Sequence, residues 1–490
     1  MSFPDLASLV PYFLVTAQGL LIAVSLVFLV SGIDDFFIDL YYLFHSLYRR
    51  FFIKSKHRAL SQEDLAAPEE KPIAVMIPAW HESAVIRRML QDNLKRLNYS
   101  NYYFFVGTYP NDPETGREVE IVREQSTRVH RVVCPHNGPT NKSDCLNWVI
   151  QGIRLFEKEN NIDFEILVLS DSEDVAHPLV LKLFNCLIPR FDMVQLPVIP
   201  LEPEWHHLVG GHYLDEFAEF HSKDILVREY LTGSLPSAGV GTGFSRRTID
   251  LLSKDRKDLV FNIRSLTEDY DLGLSLPKYG LKQIFVKHSI DRIVTRKSLW
   301  TGKPKQVTVK DYVAIREFFP TGFSASVRQK ARWVVGICFQ GWANLGWFGN
   351  FWNRYFLFRD RKALWNNPAG AACYILVGIE LFFRLRSRVF PESYQYPTLV
   401  ASESWQWKII LIDTFFLFQR LVQRVFWTYQ LYNWRQALLA VPRLFVSNLV
   451  NFTATGRALR LYTRYLRTGR ITWEKTDHRY PSEAASGKVG

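Results

Sequence analysis

The chain has 490 residues, 48% of them hydrophobic and 22% charged, with a formal net charge of +12 and a mean hydropathy of −0.07. That length exceeds one ordinary domain and implies two or three folding units. The basic residues crowd beside apolar segments, which fits an anionic membrane surface rather than nucleic acid; no zinc-finger spacing and no RNA-binding signature is present. The five cysteines (Cys134, Cys145, Cys186, Cys338, Cys373) are scattered and odd in number. They argue against a disulfide framework and for a reducing compartment.

Residues 6–33 carry no charged side chain. At 1.5 Å per residue this run crosses a hydrocarbon core of about 30 Å. The start is acidic (Asp5) and the run is too long for a signal-peptide core, so a retained helix is expected. Arg49, Arg50, Lys54, Lys56 and Arg58 follow, and this cation cluster places the chain from about residue 60 in the cytoplasm. Residues 1–60 therefore read as a membrane helix and a basic linker, with a polar boundary over 55–70.

Residues 61–335 read as a soluble α/β domain. Buried strands are expected at 71–78 (KPIAVMIP), 102–107, 129–134 and 163–170 (DFEILVLS), with helices following near Glu82 and Lys142. This alternation predicts a mostly parallel sheet, with ligands at the carboxyl ends of its strands. An amphipathic helix in the headgroup plane is expected within 336–362, from the aromatic run Phe339, Trp342, Trp347, Phe348, Phe351 and Trp352. Residues 363–475 read as transmembrane and interfacial helices: spans at 363–379 and 405–427, and an interfacial stretch at 437–455. Lys408, Asp413, Arg420, Arg424 and Arg443 in these segments must face protein, a polar cavity or the interface. Residues 476–490 read as a disordered tail.

Four constellations carry chemistry. Asp171, Glu173 and Asp174 end the fourth strand; three crowded carboxylates call for a hard divalent cation, Mg²⁺ or Mn²⁺, bridging diphosphate oxygens. The bland alternative is an acidic turn capping the next helix. Thr267-Glu268-Asp269 offers a carboxylate of the right type for a general base, or simply a capped acidic first helical turn. Gln329, Arg332 and Trp333 combine a cation for a leaving diphosphate with a ring that stacks on sugar, or form a basic helix end at the membrane. The turns around Glu82 and Asp112 suit a nucleotide base, and Lys142 at a helix start suits phosphate.

Taken in order, these pieces resemble family-2 glycosyltransferases of the GT-A fold, the class of cellulose and hyaluronan synthases. More closely, the chain resembles the NfrB type of inner-membrane glycosyltransferases, named for a part in phage adsorption, over stretches 31–40, 107–115, 142–147, 236–247, 265–273 and 328–341. The resemblance implies Glu82 and Asp112 at the base and ribose, Lys142 and Arg332 at the diphosphate, and Asp171 with Glu173 or Asp174 at the metal. It implies Asp269 as the base, and Glu268, Gln329 and Trp333 at the acceptor. It further implies an inverting transfer from a nucleotide-sugar, UDP-linked, to a growing polysaccharide in the bacterial inner membrane, with an outer-membrane export partner. Transfer of one sugar to a polyprenyl lipid, and a non-catalytic phage-adsorption scaffold, are the rival readings. Two departures stand out: His81 replaces the usual Asn before Glu82, and D-S-E-D replaces D-x-D.

Overall fold

The computed structural model describes residues 6–53, 56, 58, 60–297, 304–392, 395–469 and 478–481. Asp5, Lys54 and the expected tail apart from 478–481 lie outside the described residues.

The strands expected from buried apolar runs form close to the predicted bounds: β1 (Ile73–Pro78), β2 (Tyr102–Thr108), β3 (Val129–Val133) and β4 (Ile166–Leu169). They continue as β5 (Val175–Ala176), β6 (Met193–Gln195), β7 (Val198–Pro200), β8 (Thr242–Ser245) and β9 (Gln283–Phe285). A hairpin follows, β10 (Ser289–Lys297) with β11 (Pro304–Tyr312), and then β12 (Ile315–Glu317). The main sheet has the order β3-β2-β1-β4-β8-β6-β9. Only β8 opposes its neighbours, so the sheet is mixed and mostly parallel. β1 and β4 are apolar on both faces, as parallel strands covered by helices must be. One core packs β1 and β2 against the helix Ile86–Arg96, and a second packs the opposite face against the helix Lys142–Asn160. All five cysteines are free.

The first helix runs from Leu6 to Tyr48 and continues as a π-helical turn to Ile53, well past the expected end at Ile33. Asp34, Asp35 and Asp39 do not end it because each finds a cation on another element. Arg359 Nη1 lies 2.5 Å from Asp34, Lys362 Nζ lies 2.7 Å from Asp35, and Lys223 and Arg420 pair with Asp39 and Asp35. Buried charges persist only when paired in this way.

By length and hydropathy, the first helix, Ala363–Val389 and Trp434–Thr468 are each able to cross a membrane. The segment 437–455, expected at the interface, is thus part of a 35-residue helix. Its Arg443 faces protein as required: it lies 3.1 Å from Asp215, both fully buried. The segment 405–427 lies in the 27-residue helix Trp405–Leu431.

The headgroup-plane helix expected within 336–362 is not one helix. The helix Phe323–Trp333 passes into a π-helical segment, Val334–Gln340, and a short helix, Gly341–Leu345. The chain turns at Gly346 and Gly349, both at positive φ, before the helix Phe351–Arg361. The buried Arg361 guanidinium lies 4.7 and 4.3 Å from the Trp342 and Trp347 ring centroids, an attractive cation–ring geometry, and the two rings meet edge to face.

Candidate active site

A cavity of about 550 Å³ opens at the carboxyl ends of β1 and β4. There the strand order reverses direction, which is where open α/β sheets bind ligands, and the volume suits a small-molecule site.

The first wall is the turn after β1. His81 sits at φ 54°, the left-handed region where Asn, Asp and His are enriched among non-glycine residues, so His fills a slot that suits Asn. Its N–H donates to Asp112 Oδ2 at 2.6 Å, and Asp112 Oδ1 accepts from the Thr115 N–H at 3.3 Å. Asp112 is therefore buried behind the wall, bracing the turn and capping the helix Pro113–Arg123, and it does not line the cavity. Trp80 and Glu82 do.

The second wall is the turn after β4. Asp174 is fully buried, and its Oδ2 accepts from the Asp171 N–H at 2.8 Å and from Ser170 Oγ at 3.0 Å. That bond closes the turn, turning Asp174 inward and leaving Asp171 and Glu173 on the cavity surface. Lys142 is the first residue of its helix, behind an Asn141 cap. Its Nζ lies 2.5 Å from Asp171 Oδ1 and donates to the Gly239 carbonyl at 3.3 Å. Gly239 has φ +77°; a Cβ there would lie 2.4 Å from Asp269 Oδ2 and 3.4 Å from Lys142 Nζ. Only glycine allows the backbone to pass between these groups.

The third wall is the acidic turn that opens the helix Glu268–Ser275. Thr267 occupies its cap position without making a side-chain capping bond. Other elements hold the turn instead. The buried Gln340 carboxamide accepts from the Leu266 N–H at 2.9 Å and donates to the Arg264 carbonyl at 2.8 Å. Asn344 donates to Asp271 at 2.7 Å, and Tyr270 donates to Asp360, which Arg228 grips with two bonds. Gln329, Arg332 and Trp333 supply the fourth wall. Gln329 Oε1 is buried without a hydrogen-bond partner among the described residues. Trp333 packs edge-on against Tyr213 and Phe319.

The electrostatics follow from crowding in a dry site. Burial opposes the charge of Lys142, but Asp171, Glu268 and Asp269 outweigh it and hold the amine protonated. Burial, then Asp269, pushes Glu268 up to about 7. Burial also raises Asp269, with Lys142 pulling the other way. Burial raises Glu173, Asp174 and Glu317 as well, the last two strongly, and neighbouring carboxylates add to it. Asp174 Oδ1 lacks a hydrogen-bond partner among the described residues. Glu173 Oε2 has none either, though it makes an ion-pair contact of 3.1 Å with His478 Nδ1. An all-oxygen donor set short of positive charge fits a hard divalent cation.

The model of "Glycosyl transferase family group 2" matches residues 166–385, from β4 through the acidic turn and the Gln329–Trp333 motif. Residues 166–385 thus have the sequence character of a family-2 glycosyltransferase domain. It is 40% identical over 463 residues to bacteriophage adsorption protein B of Escherichia coli K12, and equally to bacteriophage N4 adsorption protein B of Escherichia coli O157:H7. These alignments cover 94% of this chain and 62% of each relative, so the chain spans about three fifths of the length of the curated relatives it matches. Among solved structures it is similar to the mannosyltransferase PcManGT from Pyrobaculum calidifontis in complex with GDP-Man and Mn²⁺, with a TM-score of 0.48 and 13% identity. That similarity covers 88% of this chain and 99% of the other.

The cavity brings together Glu82, Lys142, Asp171, Glu173, Glu268, Asp269, Gln329, Arg332 and Trp333, of which Glu82 and Lys142 precede the matched region, leaving Asp112 and Asp174 behind its wall. The sequence reading missed Trp80, Glu317, Asp360 and His478, which also line it. Trp80 lies within the 78–82 turn already singled out, though without a role of its own. Glu317 and Asp360 stand in unremarkable local sequence, and His478 is distant from every motif.

Proposed function

We propose that this chain transfers a sugar from a nucleotide-sugar to an acceptor hydroxyl at the membrane, with inversion at the anomeric carbon. The observation that carries this is the meeting of Lys142, Asp171 and Asp269 around Gly239, an ammonium suited to phosphate beside one carboxylate suited to a metal and another suited to act as a base. Glu82 and Trp80 suit the nucleoside end. Lys142 and Arg332 suit the diphosphate. Asp171 and Glu173 would hold Mg²⁺ or Mn²⁺, which when bound neutralises charge on the leaving diphosphate. Asp269 takes the proton from the acceptor hydroxyl as its oxygen attacks, and the dry setting strengthens every charge interaction there. Asp112 and Asp174 support the site by bracing its turns.

The same cavity is also lined by Trp333, Phe217, Phe220 and Phe356. Phe356 packs with Ile38 of the first membrane helix. Aromatic lining that shares Phe356 with the packing of the first helix suits a sugar chain, so we read the acceptor as a growing polysaccharide, with the catalytic domain on the cytoplasmic side. A glycan presented at the cell surface, through a partner in the outer membrane, would also account for a role in phage adsorption such as the relatives' name states. The test is to incubate membranes with a panel of radiolabelled nucleotide-sugars, UDP-linked ones first, and to size the product. Long glycan is the expected result, one-sugar lipid would replace the polymer reading, and no transfer from any donor would remove the enzyme reading.

A further inference from the structure

Residues 478–481 follow the helix Trp434–Thr468 in the chain, yet they lie against the catalytic domain. Pro481 is buried. Tyr480 packs on the core formed by β1 and the helix Ile86–Arg96. His478 Nδ1 lies 2.9 Å from Glu82 Oε1 and 3.1 Å from Glu173 Oε2. One ring nitrogen thus bridges two carboxylates at the nucleoside and metal end of the cavity. The transfer chemistry has no use for an imidazole there. A cation taking Glu173, or a ribose approaching Glu82, must displace it.

We propose that the segment His478–Pro481 is an intramolecular strap that closes the donor end of the cavity and must withdraw before a divalent cation and nucleotide-sugar enter. The inference rests on the donor-site reading given above. Tyr480 and Pro481 anchor the strap on the domain surface, and His478 reaches from that anchor into the site. Because strap and ligand compete for the same carboxylates, the closed fraction directly lowers apparent affinity. A strap closed about nine tenths of the time weakens binding about tenfold.

The test measures Mn²⁺ affinity of the purified full chain in detergent, without donor, for wild type, His478→Ala and Tyr480→Ala. Tyr480 packs on the domain core, so its removal frees the strap without altering the metal-binding carboxylates. The expected result is an affinity increase of about tenfold in both variants, with thermal unfolding confirming that each is folded. A fall in affinity in either variant would make His478 a metal ligand and overturn the strap, and unchanged affinity would make the segment merely structural and overturn it equally. UDP binding, measured in the same three proteins with saturating Mn²⁺, separates the two readings. Tighter Mn²⁺ binding in the variants without UDP binding in any protein keeps the strap and removes the donor assignment.

Discussion

Gln340 offers the sharpest test of how the membrane-proximal helices govern the catalytic turn. Its carboxamide is buried at 4% exposure and bridges the Leu266 N–H and the Arg264 carbonyl, three and five residues before Asp269. Gln340→Met conserves volume but removes both bonds. Both bonds are part-buried, so each is worth about 0.5–1.5 kcal/mol and the pair roughly 1–3 kcal/mol. The turn is expected to shift until those groups find water or other partners. A displacement of about 1 Å at a reacting group costs on the order of 10²-fold in rate. The expected outcome is a fall in kcat of about 10²-fold. The donor KM should stay within about twofold, because Glu82, Lys142 and Asp171 sit on other elements. Single-turnover transfer with radiolabelled donor gives the rate, calorimetry gives donor affinity, and thermal unfolding checks the fold. A folded Gln340→Met protein with wild-type kcat would refute the view that this side chain positions Asp269.

Asp171→Ala is expected to abolish transfer while leaving membrane insertion intact, and EDTA should do the same to wild type, reversibly with Mg²⁺ or Mn²⁺; full activity in excess chelator would refute a metal site. Asp269→Asn should reduce transfer by about 10²-fold or more with donor binding little changed, as followed by product formation and donor titration. The pH profile tests the same group. Asp269 must be ionised to act, and burial raises its pKa against the pull of Lys142, so the acid limb of kcat/KM should lie above the usual carboxylate value of about 3.9. Lys142→Met removes that pull and should move the limb further up; a limb that stays in place would argue against Asp269 as the titrating base. Arg443→Ala leaves Asp215 buried without its cation and should cost about 3–5 kcal/mol. Thermal unfolding in detergent should show that loss, with most of it recovered in the double variant Arg443→Met/Asp215→Asn.

Local sequence determined much of this architecture, because burial and period are written along the chain. A run such as Ile73–Pro78, apolar on both sides of the pleat, is stable only as a covered strand of a parallel sheet, and β1 to β4 formed within a few residues of their expected bounds. The uncharged run before Asp34 required a long apolar helix, and the polar residues at the ends of β1 and β4 marked the ligand edge. Only the tertiary structure decided which carboxylates face the cavity. In D-S-E-D the choice rests on one bond from the Asp171 N–H to Asp174, which turns Asp174 inward, and Asp112 is likewise diverted to the backbone of His81. Neither outcome follows from spacing, since a turn's side chains leave in directions set by its φ and ψ. The first helix could be read past Ile33 only once Arg359, Lys362, Lys223 and Arg420 were in place against its three aspartates. Gln340 and His478 meet their partners across 74 and 396 residues, and contacts of that range arise from packed elements, so no local pattern carries them.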